Sequence, residues 1–246
     1  MRVFLLGPSH HKYLTGCALS NFTRYATPLG YLPLDLATIA ELRATGAFEN
    51  MSSTTDEDEH SLEMHLPYIR HSLSNTTESS SAHLVPILVG STNPDTDKAY
   101  GAILAPYLSD PANVFVISSD FCHWGPRFSY TYYLPAGTGA GRKLGSHEAP
   151  TNPPIHESIR RIDQWSMDAI ETGSHNSFLN NLASTKNTVC GRHPIGVIMA
   201  AIEVLKQEGK LAQDKGLFRF VRYERSNNVT HAKDGSVSYA SAFAIL

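Results

Sequence analysis

Three short runs constrain this chain more than any other feature. Val3-Phe4-Leu5-Leu6, Leu84-Val85-Pro86-Ile87-Leu88-Val89 and Val114-Phe115-Val116-Ile117 are of strand length and apolar throughout. Runs of that length and composition, bounded by Gly, Pro or Ser, read as buried strands. Two of them stop abruptly and hand the chain to polar side chains. Gly7-Pro8-Ser9-His10-His11 follows the first, and Ser118-Ser119-Asp120-Phe121-Cys122-His123-Trp124-Gly125 follows the third. In open α/β sheets ligands bind outside the carboxyl ends of strands, so both exits are candidate sites.

Helical patterns fill the intervals. A helix is expected over 35–45, where Asp35 can cap the start, Leu36, Ile39, Ala40 and Leu42 form an apolar stripe, and Gly46 ends it. Further helices are expected over 96–108, 155–172, 176–185 and 195–207. Two strands, 218–224 and 237–245, close the chain. Val237, Tyr239 and Ser241 alternate there with Ser238, Ala240 and Ala242, which predicts antiparallel pairing near a sheet edge. Residues 12–30 read as loop with short extended pieces, for which Cys17-Ala18-Leu19 and Tyr25-Ala26-Thr27 are the candidates, 135–154 as irregular, and 72–82, rich in Ser, Thr and Asn, as a surface loop. The acidic run Asp56-Glu57-Asp58-Glu59 reads as the solvated start of a helix, where carboxylates complement the positive helix end. The class implied is α/β with a parallel-rich sheet.

Bulk properties narrow the functions. The 246 residues suit one α/β domain, and no internal repeat or linker divides them. A formal net charge of −3 argues against a nucleic-acid partner. No apolar run approaches the ~18 residues that span a bilayer, so membrane insertion is not expected. Three cysteines with no secretory leader point to reduced thiols in the cytoplasm, with the nucleus as a second compartment.

Three groups carry chemistry: Ser9-His10-His11, Asp120-Phe121-Cys122-His123 and Cys190-Gly191-Arg192-His193. Strand carboxyl ends and helix amino ends share one rim in a parallel-rich sheet, so the three are expected to converge. Imidazole and thiolate are good ligands for iron, copper or zinc. An aspartate beside a histidine can orient a ligating ring or act as a base. Plainer readings stand beside these. Any one histidine can be a loop residue, Cys122 a small buried apolar group, and Arg192 the partner of an acid. A hydrolase built on Ser9, His123 and Asp120 ranks lower, because the chain lacks a Gly-x-Ser-x-Gly turn. No glycine-rich phosphate loop and no close-packed metal motif is present.

Gly7-Pro8-Ser9-His10-His11, Asp56-Glu57-Asp58-Glu59-His60-Ser61-Leu62-Glu63-Met64-His65-Leu66-Pro67-Tyr68, the run from Ser118 to Gly125, and Cys190-Gly191-Arg192-His193-Pro194-Ile195-Gly196 together resemble the Memo family, mediators of ErbB2-driven cell motility. The resemblance implies a fold similar to class III extradiol dioxygenases: a mixed, mostly parallel sheet flanked by helices. It implies an iron- or copper-binding pocket with His10 and Cys190 as metal ligands. Asp120 and His123 would be its catalytic residues, with His193, Glu63 and His65 nearby. A thiolate at 190, where the dioxygenases carry a carboxylate, favours redox handling over ring cleavage. Family members also carry an earlier strand ending in Pro-His-Ala-Gly, whose histidine is a further ligand. This chain has no such motif, so the expectation is one Memo-like domain over 1–246, shortened at its amino terminus and missing one ligand.

Two functions follow as expectations. One is a Memo-like intracellular protein with a redox-active iron or copper pocket linked to cell motility signalling, a metal-dependent oxidoreductase if it turns over. The other is a non-enzymatic module that binds signalling or cytoskeletal proteins through peptides or phosphopeptides. In that case Trp124 would form a wall, and Arg192 and His193 would meet the anion along with His10.

Overall fold

The three apolar runs fold as strands of one sheet. This computed structural model describes residues 1–74 and 82–246. They group into two units, Met1–Ser119 with Gly191–Lys210, and Asp120–Cys190 with Leu211–Leu246.

The first unit contains strands β1 (Arg2–Pro8), β2 (Cys17–Leu19), β3 (Arg24–Thr27), β4 (Gly30–Pro33), β5 (Phe48–Asn50), β6 (His83–Val89) and β7 (Asn113–Ile117). Five of them make a sheet in the order β5-β2-β6-β1-β7. β1 runs parallel to β6 and to β7, with Val3 opposite Leu84 and Leu6 opposite both Ile87 and Ile117. β2 is parallel to β5 but antiparallel to β6. The sheet is therefore mixed and mostly parallel, as expected. Phe4, Leu5, Leu6, Val85, Ile87 and Leu88 are all fully buried. A sheet covered on both faces needs apolar side chains at every position, which is why the runs of β1 and β6 do not alternate. β7, expected to be buried as well, lies at the sheet edge and is only part-buried, with Val114 47% exposed. β2 and β3 fall on the two extended pieces expected within 12–30, and β3 pairs with β4 in a separate antiparallel hairpin.

The helix Leu36–Ala44 begins as read: the Asp35 side chain accepts the Thr38 N–H, and Gly46 follows with φ +74°. Helix Pro94–Leu108 starts two residues earlier than 96, because Asn93 caps it by accepting from the N–H groups of Asp95 and Thr96. Helix Arg192–Gln207 starts three residues before 195, and Pro194 fits inside its first turn. It packs against Pro94–Leu108 and against β1. The expected loop over 72–82 is shorter than read, since 72–74 close the helix Leu66–Ser74; residues 75–81 lie outside those described.

The acidic run is not the wholly solvated helix start that its composition suggests. Helices Ser53–Asp58 and His60–Glu63 divide it, and two of its four carboxylates point inward: Asp56 is 8% exposed and the Glu59 side chain 0%. The Ser20 and Tyr25 hydroxyls both donate to Asp56, and burial pushes its carboxyl above the ordinary range. Amphipathic placement around short helices decides which acids face water, and the bare run does not show it.

The second unit contains β8 (His123–Trp124), β9 (Tyr132–Tyr133), β10 (Arg142–Lys143), β11 (Arg219–Arg225) and β12 (Ser236–Phe243). β11, β12 and β8 form an antiparallel sheet in that order, with β11 at an edge, as the alternation predicts. Helices Ile155–Glu171 and His175–Thr185 pack on each other. Trp124, Tyr130, Tyr133, Leu144, Ile155 and Ile159 belong to the core. Asp163 is a buried hub beside it. It accepts from the Cys122 N–H at 3.1 Å, the Asn187 amide at 2.9 Å and the Tyr223 hydroxyl at 2.8 Å. Burial raises its carboxyl above the ordinary range despite these donors. No helix among the described residues is long and apolar enough to cross a membrane.

Candidate metal centre

Two of the sequence-predicted groups meet within the second unit. Asp120, His123 and Cys190 each offer a donor atom, and these atoms lie within 4.8 Å of one another. The backbone ties the cluster at both ends. The Asp120 N–H donates to Cys190 Sγ at 3.0 Å, and the Cys190 N–H donates to the Asp120 carbonyl at 3.2 Å. His123 Nε2 faces Asp120 Oδ2 at 3.8 Å. The other ring nitrogen, Nδ1, lies 2.9 Å from the Phe121 carbonyl and 3.0 Å from the Thr188 carbonyl. Carbonyl oxygens only accept, so Nδ1 carries the proton. In the neutral ring Nε2 then presents its lone pair toward Asp120. Ligating histidines are oriented in this way by partners outside the ligand set. A sulfur, an imidazole nitrogen and a carboxylate oxygen form a donor set that suits iron, copper or zinc.

Why these atoms meet is a matter of strand geometry. His123 and Trp124 are consecutive on β8, paired with Val237 and Ser236 of β12. Consecutive strand residues point to opposite faces. Trp124 therefore enters the core, 0% exposed and edge-on to Tyr130, while His123 turns to the donor cluster with its side chain 20% exposed. Trp124 cannot serve as the expected open wall for a ligand. Cys122 is fully buried, in keeping with its plain apolar reading, and burial pushes its thiol well up.

His10 stands at the end of β1 in the first unit, and a residue that the sequence reading passed over holds it. The buried Glu59 carboxylate accepts the His10 N–H at 2.8 Å, the His10 Nδ1 proton at 3.0 Å and the Ser61 N–H at 3.0 Å. Burial alone would raise this carboxyl, but the donors outweigh it and hold it at about 2. His10 again keeps its proton on Nδ1 and presents Nε2. The His60 ring stacks on the His10 ring, centroids 4.5 Å apart and planes 21° from parallel. His10, Glu59 and His60 also bring donor atoms within 4.8 Å. They do not fit a single ion as they stand. Near-parallel stacked rings cannot both direct an in-plane lone pair at one point, and the Glu59 oxygens already take three N–H donors. Glu63 is exposed and His65 half-buried, and neither belongs to this group. The signal for Glu59 was its place at the head of helix His60–Glu63, where its side chain caps Ser61.

His193 and Arg192 lie in the first unit, at the start of helix Arg192–Gln207. His193 Nδ1 is 2.9 Å from Thr92 Oγ1, whose own proton goes to Asp97. The threonine oxygen therefore accepts from Nδ1, and Nε2 is left buried with no hydrogen-bond partner among the described residues. Burial, with Arg192 adding to it and Asp97 opposing, pulls this imidazole down to about 4. Near neutral pH His193 offers an anion a lone pair rather than a charge, contrary to the expected role. Arg192 is exposed.

Comparison with known proteins agrees with the motifs. The sequence profile of the Memo-like protein family matches residues 1–243. Protein MEMO1 of Danio rerio is 44% identical over 245 residues, covering 100% of this chain and 75% of that protein. Protein MEMO1 of Homo sapiens is 42% identical over 240 residues, covering 98% of this chain and 74% of that protein. The memo-1 homolog of Caenorhabditis elegans is also 42% identical over 240 residues, with 98% of this chain and 63% of that protein covered.

Proposed function

The chain belongs to the Memo-like family, and from that membership and its donor geometry we propose an intracellular iron- or copper-binding redox protein linked to cell motility signalling. One observation carries the metal reading. Cys190 Sγ, the Asp120 carboxylate and a His123 ring with its Nε2 lone pair turned toward them gather within 4.8 Å of one another. When bound, iron or copper supplies one-electron redox chemistry there. The residues do the rest. Cys190 and His123 act as soft and borderline ligands. Asp120, 44% exposed at its side chain, is placed to bind or to move a proton at the solvent side. His10 is a metal ligand on the first unit, with Nε2 as its donor atom. The likeness to class III extradiol dioxygenases belongs to this proposal, with redox handling rather than ring cleavage as the activity.

Anaerobic titration with Cu(I) against a competing chelator, and separately with Fe(II), tests the reading. The wild-type chain should bind stoichiometrically. Cys190→Ser should weaken binding by more than the ~10–100-fold typical of losing an outer partner, and His123→Gln should do likewise. Equal affinity in all three proteins would sink it.

A further inference from the structure

We infer that Glu59 and His60 are positioning residues for His10: the carboxylate fixes which ring nitrogen carries the proton, and the stacked ring fixes the imidazole plane. The inference rests on His10 as the metal ligand proposed above. Glu59 can do this because an ionised carboxylate accepts and never donates. Its side chain is 0% exposed, so water does not compete for the same protons. Three N–H donors, two of them from His10 itself, converge on its two oxygens. The ring cannot turn over without losing one of them. His60 closes the other degree of freedom. Its ring lies over the His10 face at 4.5 Å, and its Nδ1 is 3.8 Å from Glu59 Oε1, so ring and carboxylate hold the same neighbour.

The clamp is anchored to the sheet. Ser61 Oγ donates to the Pro8 carbonyl at 2.8 Å, which pins the head of helix His60–Glu63 to the last residue of β1. The approach needs Gly7: a Cβ there would stand 2.5 Å from Ser61 Oγ and 2.9 Å from Leu62 Cδ2. Strand end, helix head and ligand ring are therefore set by one compact group of contacts. Outer partners of this kind are typically worth ~10–100-fold in metal affinity.

The test uses the full chain. Long-range 1H–15N spectra of the histidine rings, recorded on metal-free protein, should show His10 with Nδ1 protonated and Nε2 unprotonated. In Glu59→Gln the amide must present an N–H2 either to the ring or to the backbone N–H. His10 should then lose its single tautomer, and Cu(I) affinity should fall ~10–100-fold. His60→Ala should lower Cu(I) affinity as well, and His60→Phe, which keeps the stack without a second imidazole, should restore it. His60 is 52% exposed at its side chain, so these variants carry the test if Glu59→Gln fails to fold. An unchanged His10 tautomer in Glu59→Gln, or His60→Phe binding no better than His60→Ala, would overturn the inference. A wild-type chain with the stated tautomer that binds no Cu(I) would instead count against the metal reading and leave the clamp standing.

Discussion

His123 and Thr188, 65 positions apart in sequence, are joined by three hydrogen bonds. The His123 N–H donates to Thr188 Oγ1 at 2.7 Å, that hydroxyl donates to the His123 carbonyl at 3.0 Å, and His123 Nδ1 donates to the Thr188 carbonyl at 3.0 Å. One threonine thus satisfies the backbone of His123 and helps set its tautomer.

Thr188→Val keeps the shape and removes the hydroxyl. It leaves the His123 N–H and carbonyl short of a partner at a half-buried position, which should cost ~1–3 kcal/mol. Urea denaturation checks the size. The Thr188 carbonyl remains, so ring NMR should still find Nδ1 protonated.

On the proposed metal reading, loading the site with metal should stabilise the fold. A ligand that binds only the native state stabilises it by ~2.7 kcal/mol at 100 times its Kd. Thermal melts of wild-type protein should therefore rise on adding Cu(I) or Fe(II) and fall back on chelation. Melts of Cys190→Ser should move little in either direction.

His193 makes stability depend on pH. Its imidazole is held at about 4 in the folded chain, below its ordinary value near 6.5. Between those values the unfolded chain binds more protons than the folded one, so stability rises with pH across the window and levels off above it. His193→Gln does not titrate there. The difference in unfolding free energy between the two proteins should slope from pH 4 to 6.5 and be flat from 7 to 8. A difference constant over the whole range would show that the ring is not held neutral.

Glu59 acts at lower pH with the same sign. Its carboxyl is held at about 2, below the ordinary glutamate range, so its contribution is complete above that range and fades as pH falls toward 2. Asp56 and Asp163 are shifted upward and oppose it, so the comparison must be wild type against Glu59→Gln rather than the raw acid melt. The gap between the two should close as pH falls from 5 to 2.

Gly191→Ala should be costly for a purely steric reason. Its φ is −82°, which any residue adopts, yet a Cβ would stand 2.3 Å from the Ser118 carbonyl oxygen and 2.4 Å from Ser119 Cβ. Backbone must move, at ~1–3 kcal/mol. Gly139→Ala, with nothing within 4 Å of the new methyl, should be nearly neutral by the same denaturation assay.

The sequence by itself determined the principal strands and helices, though not their exact ends or the β3–β4 hairpin. Uniform apolar runs at 3–6 and 84–89 became buried strands because a doubly covered sheet tolerates nothing else, while the equally apolar run at 114–117 became a part-buried strand at the sheet edge. Asp35 and Gly46 bounded a helix because caps are local chemistry. It also marked His10, Asp120, His123 and Cys190, since such side chains stand out after strand ends and, for Cys190, just ahead of a helix. Tertiary structure decided the rest, because long-range packing is not written in local pattern. It brought Cys190 to Asp120 across 70 positions. It put Trp124 into the core by the two-residue period of β8, and it stripped His193 of its charge by burial. It also chose Glu59 from four adjacent acids as the partner of His10. A carboxylate's role depends on which donors reach it in the fold, and the four letters Asp-Glu-Asp-Glu do not contain that distance.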